Sequence, residues 1–202
     1  QNHYFGLDRS SVYFFIQGML PSITQEGKFI IGQNGSLFMN PDGHGGTFKA
    51  LHTSGSLDMM KDLGIEEIFY FQIDNPLVKV CDPLFLGLHN LNEAQMSTKV
   101  VRKTSYEEKV GVLAKMNGKT ILVEYSEMDD AVRYAASPNG DMLHWAGSIA
   151  IHMIRRDFAE EITTHGNMLP FHRARKKIIA RGPDGRPVEV EGIKYEMFLF
   201  DA

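Results

Sequence analysis

One cysteine, Cys81, is all the thiol chemistry in this sequence. That excludes an internal disulfide and a cysteine-built zinc site, and it fits a reducing compartment. No apolar run approaches the roughly 18 to 20 residues that a transmembrane helix needs, and the N-terminus lacks the basic, apolar and small-residue order of a signal peptide. The expected setting is therefore cytoplasmic, with no membrane partner. Basic residues are not in excess: 21 Lys and Arg against 25 Asp and Glu give a formal charge of −4. They are scattered apart from Arg173-Ala174-Arg175-Lys176-Lys177, which reads as a solvated face, so nucleic acid is not an expected partner. The sequence also lacks the Gly-x-x-x-x-Gly-Lys-Ser/Thr phosphate loop and the Gly-x-Ser-x-Gly elbow of serine hydrolases.

What remains is an ordinary globular composition of 202 residues, 43% hydrophobic and 23% charged, enough for one core. Strand and helix signals alternate. Val12–Ile16 is a continuous apolar run suited to a buried strand, and Lys28–Ile31 with Leu37–Met39 suggests a hairpin around Gln33-Asn34-Gly35. Thr47–Leu51 and Leu57–Leu63 read as helices broken at Ser54-Gly55-Ser56, the second carrying core methionines Met59 and Met60. Ile68–Ile73, apolar on both faces, predicts a parallel strand covered on two sides. Asp82–Ala94 predicts a helix with Pro83 in its first turn, and Ser97–Lys103 a strand. Val110–Lys115 and Thr120–Tyr125 flank a hairpin turn at Asn117-Gly118. Glu127–Ala136 and Arg155–Thr164 read as helices around a turn at Ser137-Pro138-Asn139-Gly140. The fold class is α/β with a mixed sheet, and no linker interrupts residues 1–202, so one domain is expected. Gln1 in place of Met, and a last strand at Tyr195–Phe200 with nothing after Ala202, raise the expectation of a fragment of a longer enzyme.

Two segments carry the chemistry. Pro41-Asp42-Gly43-His44-Gly45-Gly46 is glycine-rich and can bring bare backbone against a base or phosphate, or make a tight turn; His44 within it contacts a ligand or fills the loop. Ile73-Asp74-Asn75-Pro76 places a carboxylate after an apolar strand, where Mg²⁺ is held against substrate phosphates in open α/β sheets, although Asp74 also suits a cap. Glu124 and Ser126 share a strand face and can meet sugar hydroxyls, but spacing favours Ser126 as the cap of a helix starting near Glu127. His52, His89 and His152 show no metal-site spacing.

Beyond these, Tyr4-Phe5-Gly6-Leu7, Phe15-Ile16-Gln17-Gly18-Met19-Leu20-Pro21, Met39 through Gly46, Asp74-Asn75-Pro76-Leu77-Val78-Lys79-Val80, Lys109-Val110-Gly111-Val112, Val123-Glu124-Tyr125-Ser126-Glu127 and Gly192-Ile193-Lys194 through Asp201 follow one another in an order that resembles the eukaryotic-type UDP-N-acetylhexosamine pyrophosphorylases and their UDP-sugar pyrophosphorylase relatives. The resemblance implies a Rossmann-like, glycosyltransferase-A-type nucleotidyltransferase core. It further implies a uridylyltransferase reaction joining UTP and a sugar 1-phosphate, with Mg²⁺ as cofactor. It assigns Gln17, Met39, Pro41 and Gly43 to the nucleotide, and His44, Gly111, Glu124 and Ser148 to the sugar. Asp74 and Asp201 go to the metal, and Asp74 and Lys194 to catalysis at the phosphates.

The family's N-terminal Leu-x-Gly-Gly-x-Gly-Thr-Arg-Leu-Gly loop is absent from these residues, as is any C-terminal domain, so the fragment alone is expected to be inactive. His44 stands where the acetylhexosamine enzymes carry Asn and UDP-glucose enzymes carry His, and Ser148 replaces an Asn. N-acetylglucosamine 1-phosphate is the expected sugar substrate. The alternatives are a UDP-glucose or broad-specificity UDP-sugar pyrophosphorylase and a non-catalytic nucleotide-sugar binding module.

Overall fold

The structure is a computed structural model that describes residues 2–164 and 169–202. It resolves into two compact units, one formed by the residues up to Met59 with the segment that ends at Phe200, the other by Met60–Thr164. Among the described residues, no helix is long and apolar enough to cross a membrane.

In the first unit, two 3₁₀ turns at His3–Gly6 and Arg9–Ser11 precede the short strands β1 (Met19–Pro21), β2 (Ile23–Thr24) and β3 (Met39–Pro41). β1 and β3 pair antiparallel, Leu20 opposite Asn40. The expected hairpin reduces to an isolated bridge between Ile31 and Leu37. Val12–Ile16 forms no strand, and Phe14 and Ile16 stand 84% and 90% exposed. Apolarity alone does not make a strand without a neighbour to take its backbone bonds. Helix α1 (Gly46–Thr53) buries Phe48 and Leu51, one turn apart, and ends where Gly55 adopts φ +73°. Helix α2 (Ser56–Asp62) follows and buries Leu57, while Met59 and Met60 are half-buried.

The second unit is built around one sheet. β4 (Glu67–Tyr70) leads through a loop to helix α3 (Pro83–Leu91), where Asp82 is the N-cap and Pro83 sits in the first turn as expected. β5 (Met96–Arg102) and the hairpin of β6 (Val112–Met116) and β7 (Lys119–Val123) come next. Asn117 and Gly118 both take positive φ at the turn, as a two-residue hairpin demands. The helix expected from Glu127 shrinks to α4 (Asp130–Arg133), capped by Asp129, whose carboxylate accepts the Val132 N–H at 2.8 Å; Ser126 lies in the preceding turn and is not the cap.

β8 (Ala146–Arg155) is the spine: β4, β5 and β6 all pair with it, antiparallel, and Ile151–Ile154 are buried. β4 thus lies antiparallel to β8, not in the parallel pairing expected of it. Its residues are half-buried, not covered on both faces, the strand ends at Tyr70 with Ile73 94% exposed beyond it, and the direction of its neighbour is set by where the chain returns. Val112 is fully buried, facing Val123 on one side and Gly147 on the other. Helix α5 (Arg156–Thr164) buries Ala159 and pairs Arg156 with Glu160 at 2.6 Å.

The chain then completes the first unit with β9 (Phe171–Arg181) and β10 (Pro187–Met197), a long hairpin whose β10 also pairs with β2. Ile178 and Ala180 point inward from β9 onto Ile30, with Phe38 and Val190 closing the cluster. The basic run lies on β9 with its Arg and Lys residues exposed, Lys177 paired to Glu189. The last strand stops at Met197, and Leu199–Asp201 turn into a 3₁₀ helix with Leu199 fully buried.

Candidate functional site

The glycine segment is a loop feeding directly into α1. Its backbone is clamped on both sides: the Asp42 N–H donates to the Gly18 carbonyl at 3.0 Å, and the Asp42 carbonyl accepts from the Met197 N–H at 2.7 Å. Gly43 takes φ +89°, and a Cβ there would overlap the backbone of Met197, so no other residue fits without displacement. The Asp42 side chain is 4% exposed and packs into the space that a Cβ on Gly18 or Gly46 would fill. Among the described residues its Oδ1 has no hydrogen-bond partner, and it lies against the first residue of α1, whose N-terminus favours negative charge.

Gln17 and Gly43, both expected at the nucleotide, meet here: Gln17 Nε2 donates to the Gly43 carbonyl at 2.5 Å. Met39 and Pro41 lie on β3 opposite Pro21 and Met19, and both are exposed. His44 stacks on Phe198 at 5.2 Å between ring centroids and tilts against Phe200 at 5.5 Å. Its Nδ1 accepts the Leu199 N–H at 3.1 Å, which leaves the proton on Nε2 and makes that nitrogen a donor. Burial holds the imidazole below its usual pKa, with the neighbouring His172 acting in the same direction and Glu196 opposing. His44 is therefore a neutral ring at physiological pH.

Of the four residues expected at the sugar, three, Gly111, Glu124 and Ser148, come together in the second unit, while His44 belongs to the first. The Gly111 carbonyl accepts the Ser148 N–H at 2.8 Å, and a Cβ on Gly111 would lie 3.1 Å from Glu124 Oε1. The β6–β8 and β6–β7 pairings bring these three positions, far apart in sequence, to one place on the sheet. Ser148 is half-buried and its hydroxyl accepts the Ala150 N–H at 3.4 Å.

Asp74 sits in a turn four residues beyond β4, exposed, and its carboxylate makes no hydrogen bond or ion pair among the described residues. No cluster of three or more His, Cys, Asp or Glu is arranged for a metal among the described residues. A single exposed carboxylate such as Asp74 suits Mg²⁺, which takes one or two protein carboxylates and draws its other ligands from phosphates and water. Asp201 lies in the terminal 3₁₀ turn. Lys194, on β10 in the first unit, pairs with Glu196 at 2.6 Å. His89 and His152 are buried and bonded to Ser97 and Thr98, at 2.7 and 2.9 Å, in keeping with structural roles.

Two residues escaped the sequence reading. In the sequence Asp42 is only a member of the glycine-rich segment, and its signal is the smallness of Gly18 and Gly46. Asp82 was read as the start of α3, whereas it also joins two lysines, at 3.2 Å from Lys79 and 2.6 Å from Lys99.

Comparison with known proteins gives this geometry a lineage. Residues 1–161 match the family described as UTP–glucose-1-phosphate uridylyltransferase. The UDP-N-acetylglucosamine diphosphorylase 2 of Arabidopsis thaliana is 38% identical over 98% of this chain and 39% of its own length. The crystal structure of the uridine diphosphate N-acetylglucosamine pyrophosphorylase of Trypanosoma brucei superposes with a TM-score of 0.86 at 31% identity, covering 99% of this chain and 39% of that one. A UDP-glucose pyrophosphorylase of Leishmania major shares the fold at 20% identity, TM-score 0.74, over 95% of this chain and 42% of that one. This chain spans about two fifths of the length of the curated relatives it matches. Its mixed α/β fold is the one those enzymes share, and the chain belongs to the UTP–glucose-1-phosphate uridylyltransferase family.

Proposed function

We propose that the protein carrying this chain is a uridylyltransferase that forms a UDP-sugar and pyrophosphate from UTP and a sugar 1-phosphate, with N-acetylglucosamine 1-phosphate as the favoured sugar. The observation that carries the reading is the bond from Gln17 to Gly43 within a clamped, Cβ-intolerant glycine loop, in a chain 31–38% identical to proteins named for UDP-N-acetylglucosamine and 20% identical to one named for UDP-glucose.

In this reaction a sugar-phosphate oxygen attacks the α-phosphorus of UTP, the new P–O bond forms as the bond to the β-phosphate oxygen breaks, and pyrophosphate leaves. The nucleophile is already an anion, so the protein aligns and neutralises charge without supplying a base or a covalent intermediate. Gln17, Met39, Pro41 and Gly43 hold the base. Gly111, Glu124 and Ser148 meet the sugar, with His44 offering its Nε2–H. Lys194 gives up Glu196 to reach a phosphate oxygen. Asp74, with Asp201, would hold Mg²⁺, which when bound supplies charge neutralisation at the phosphates. The cytoplasm is the proposed location, and neither nucleic acid nor membrane is a proposed partner.

His44 supports a second reading, a UDP-glucose or broad-specificity enzyme. The test is pyrophosphate release by the full-length protein given UTP, Mg²⁺ and either N-acetylglucosamine 1-phosphate or glucose 1-phosphate. Higher efficiency with the acetylated sugar is expected, and the reverse order establishes the second reading. No release with any sugar phosphate, alongside calorimetric binding of a UDP-sugar, would make the protein a binding module.

A further inference from the structure

The loop between β4 and α3 carries Asp74, yet it has little to hold it. Ile73 and Leu77 are 94% and 90% exposed. Within the loop, the Asn75 side chain accepts the Leu77 N–H at 3.1 Å and the Asn75 N–H donates to the Gln72 carbonyl at 3.3 Å, bonds that shape the turn without fixing its place. Its one ionic tie among the described residues runs from Lys79 to Asp82 Oδ1, at 3.2 Å.

Asp82 is in turn fastened twice over. Its Oδ2 receives Lys99 from β5 at 2.6 Å, and its Oδ1 accepts the Leu84 N–H at 3.3 Å as the cap of α3. Lys99 is itself steadied over the Phe85 ring, 5.0 Å from its centroid. One carboxylate thus joins a loop, a helix start and a strand, all within the second unit. Lys99 first, and then Lys79, hold the Asp82 pKa down at about 2, so the junction is charged at every working pH. The Asp82–Lys99 half is sheltered, the two side chains being 14% and 26% exposed, while Lys79 is 71% exposed.

We propose that Asp82 is a positioning residue: through Lys79 it anchors the loop to α3 and β5, and so sets where Asp74 presents its carboxylate. This rests on the reading of Asp74 as a Mg²⁺ holder. Groups that orient a metal-holding side chain act through its geometry, as the outer hydrogen-bond partners of metal ligands do. Asparagine at Asp82 keeps an N-cap for α3 and removes only the charge.

The experiment uses full-length wild type, Asp82→Asn and Lys79→Met. Hydrogen exchange is followed on peptides covering residues 71–81, β4 and α3, and Mn²⁺ binding in the presence of UTP is titrated by electron paramagnetic resonance. Both variants should speed exchange in residues 71–81 while leaving β4 unchanged, and should weaken Mn²⁺ binding roughly tenfold. If Asp82→Asn fails to fold, Lys79→Met, which leaves the cap and the Lys99 bond intact, carries the test alone. Unchanged exchange in 71–81, or Mn²⁺ titrations that superimpose on wild type, would overturn the inference. Pyrophosphate release by wild type is scored separately, so failure of the proposed reaction is told apart from failure of the tether.

Discussion

The side-chain amide of Gln17 donates to the carbonyl of Gly43, joining residues 26 apart at the point where the glycine loop turns through φ +89°. Losing one such bond costs about 1 kcal/mol, or about fivefold in an equilibrium. Gln17→Leu in the full-length protein is expected to raise KM for UTP about fivefold while leaving KM for the sugar phosphate unchanged. Equal increases in both constants would detach Gln17 from the nucleotide.

A methyl group on Gly111 would press on Leu122 Cδ2 at 2.5 Å and on Glu124 Oε1 at 3.1 Å. Gly111→Ala should therefore act through Glu124, raising KM for the sugar phosphate roughly tenfold with little change for UTP. Steady-state kinetics varying each substrate in turn checks this. A loss confined to thermal stability would mean that Gly111 serves packing alone.

For His44 the sign follows from burial. Its folded pKa lies below the ordinary value of 6.5, so the unfolded chain binds the proton more readily. The stability it contributes is complete above about pH 6.5 and is lost as pH falls through the lower, folded pKa. Urea midpoints measured from pH 7.5 down to pH 5 should fall, and His44→Asn should flatten the decline. Parallel curves for the two proteins would show that other groups control it. The same variant tests specificity: the ratio of efficiencies for acetylated and plain sugars should shift toward the acetylated one.

Asp74 is exposed and carries no bonded partner among the described residues, so its charge costs the fold little to remove. Asp74→Asn is expected to keep the wild-type melting temperature, yet to lower turnover more than about tenfold and to shift the Mg²⁺ dependence to higher concentration. An unchanged magnesium titration would remove Asp74 from the metal role.

How much of this could be read beforehand depended on distance along the chain. The proline in the first turn of α3 and the Asn117-Gly118 hairpin are local signals, and the structure has them where the sequence puts them. Val12–Ile16 and the direction of β4 depend on which segment lies alongside, and for β4 that segment, β8, arrives only at Ala146. Ser126 was preferred as a cap on spacing, but helix α4 starts later and Asp129 takes the position. At the site, Gly111, Glu124 and Ser148 have no spacing that links them. Family resemblance named them, and strand pairing explains their meeting. Asp42 and Asp82 went unassigned because a carboxylate beside glycine or proline looks like turn chemistry until its buried contacts are seen.

The residue just before the Asp82 junction has practical weight. Cys81 is exposed and takes φ +49°, a left-handed conformation that costs a side-chain-bearing residue about 1 kcal/mol. The exposed thiol is therefore open to replacement by a residue that suits the bend. Asparagine tolerates that conformation better than cysteine, so Cys81→Asn yields a thiol-free chain with its backbone undisturbed. The native thiol, left in place, offers a single attachment point for a spin label or dye at the foot of the loop that bears Asp74.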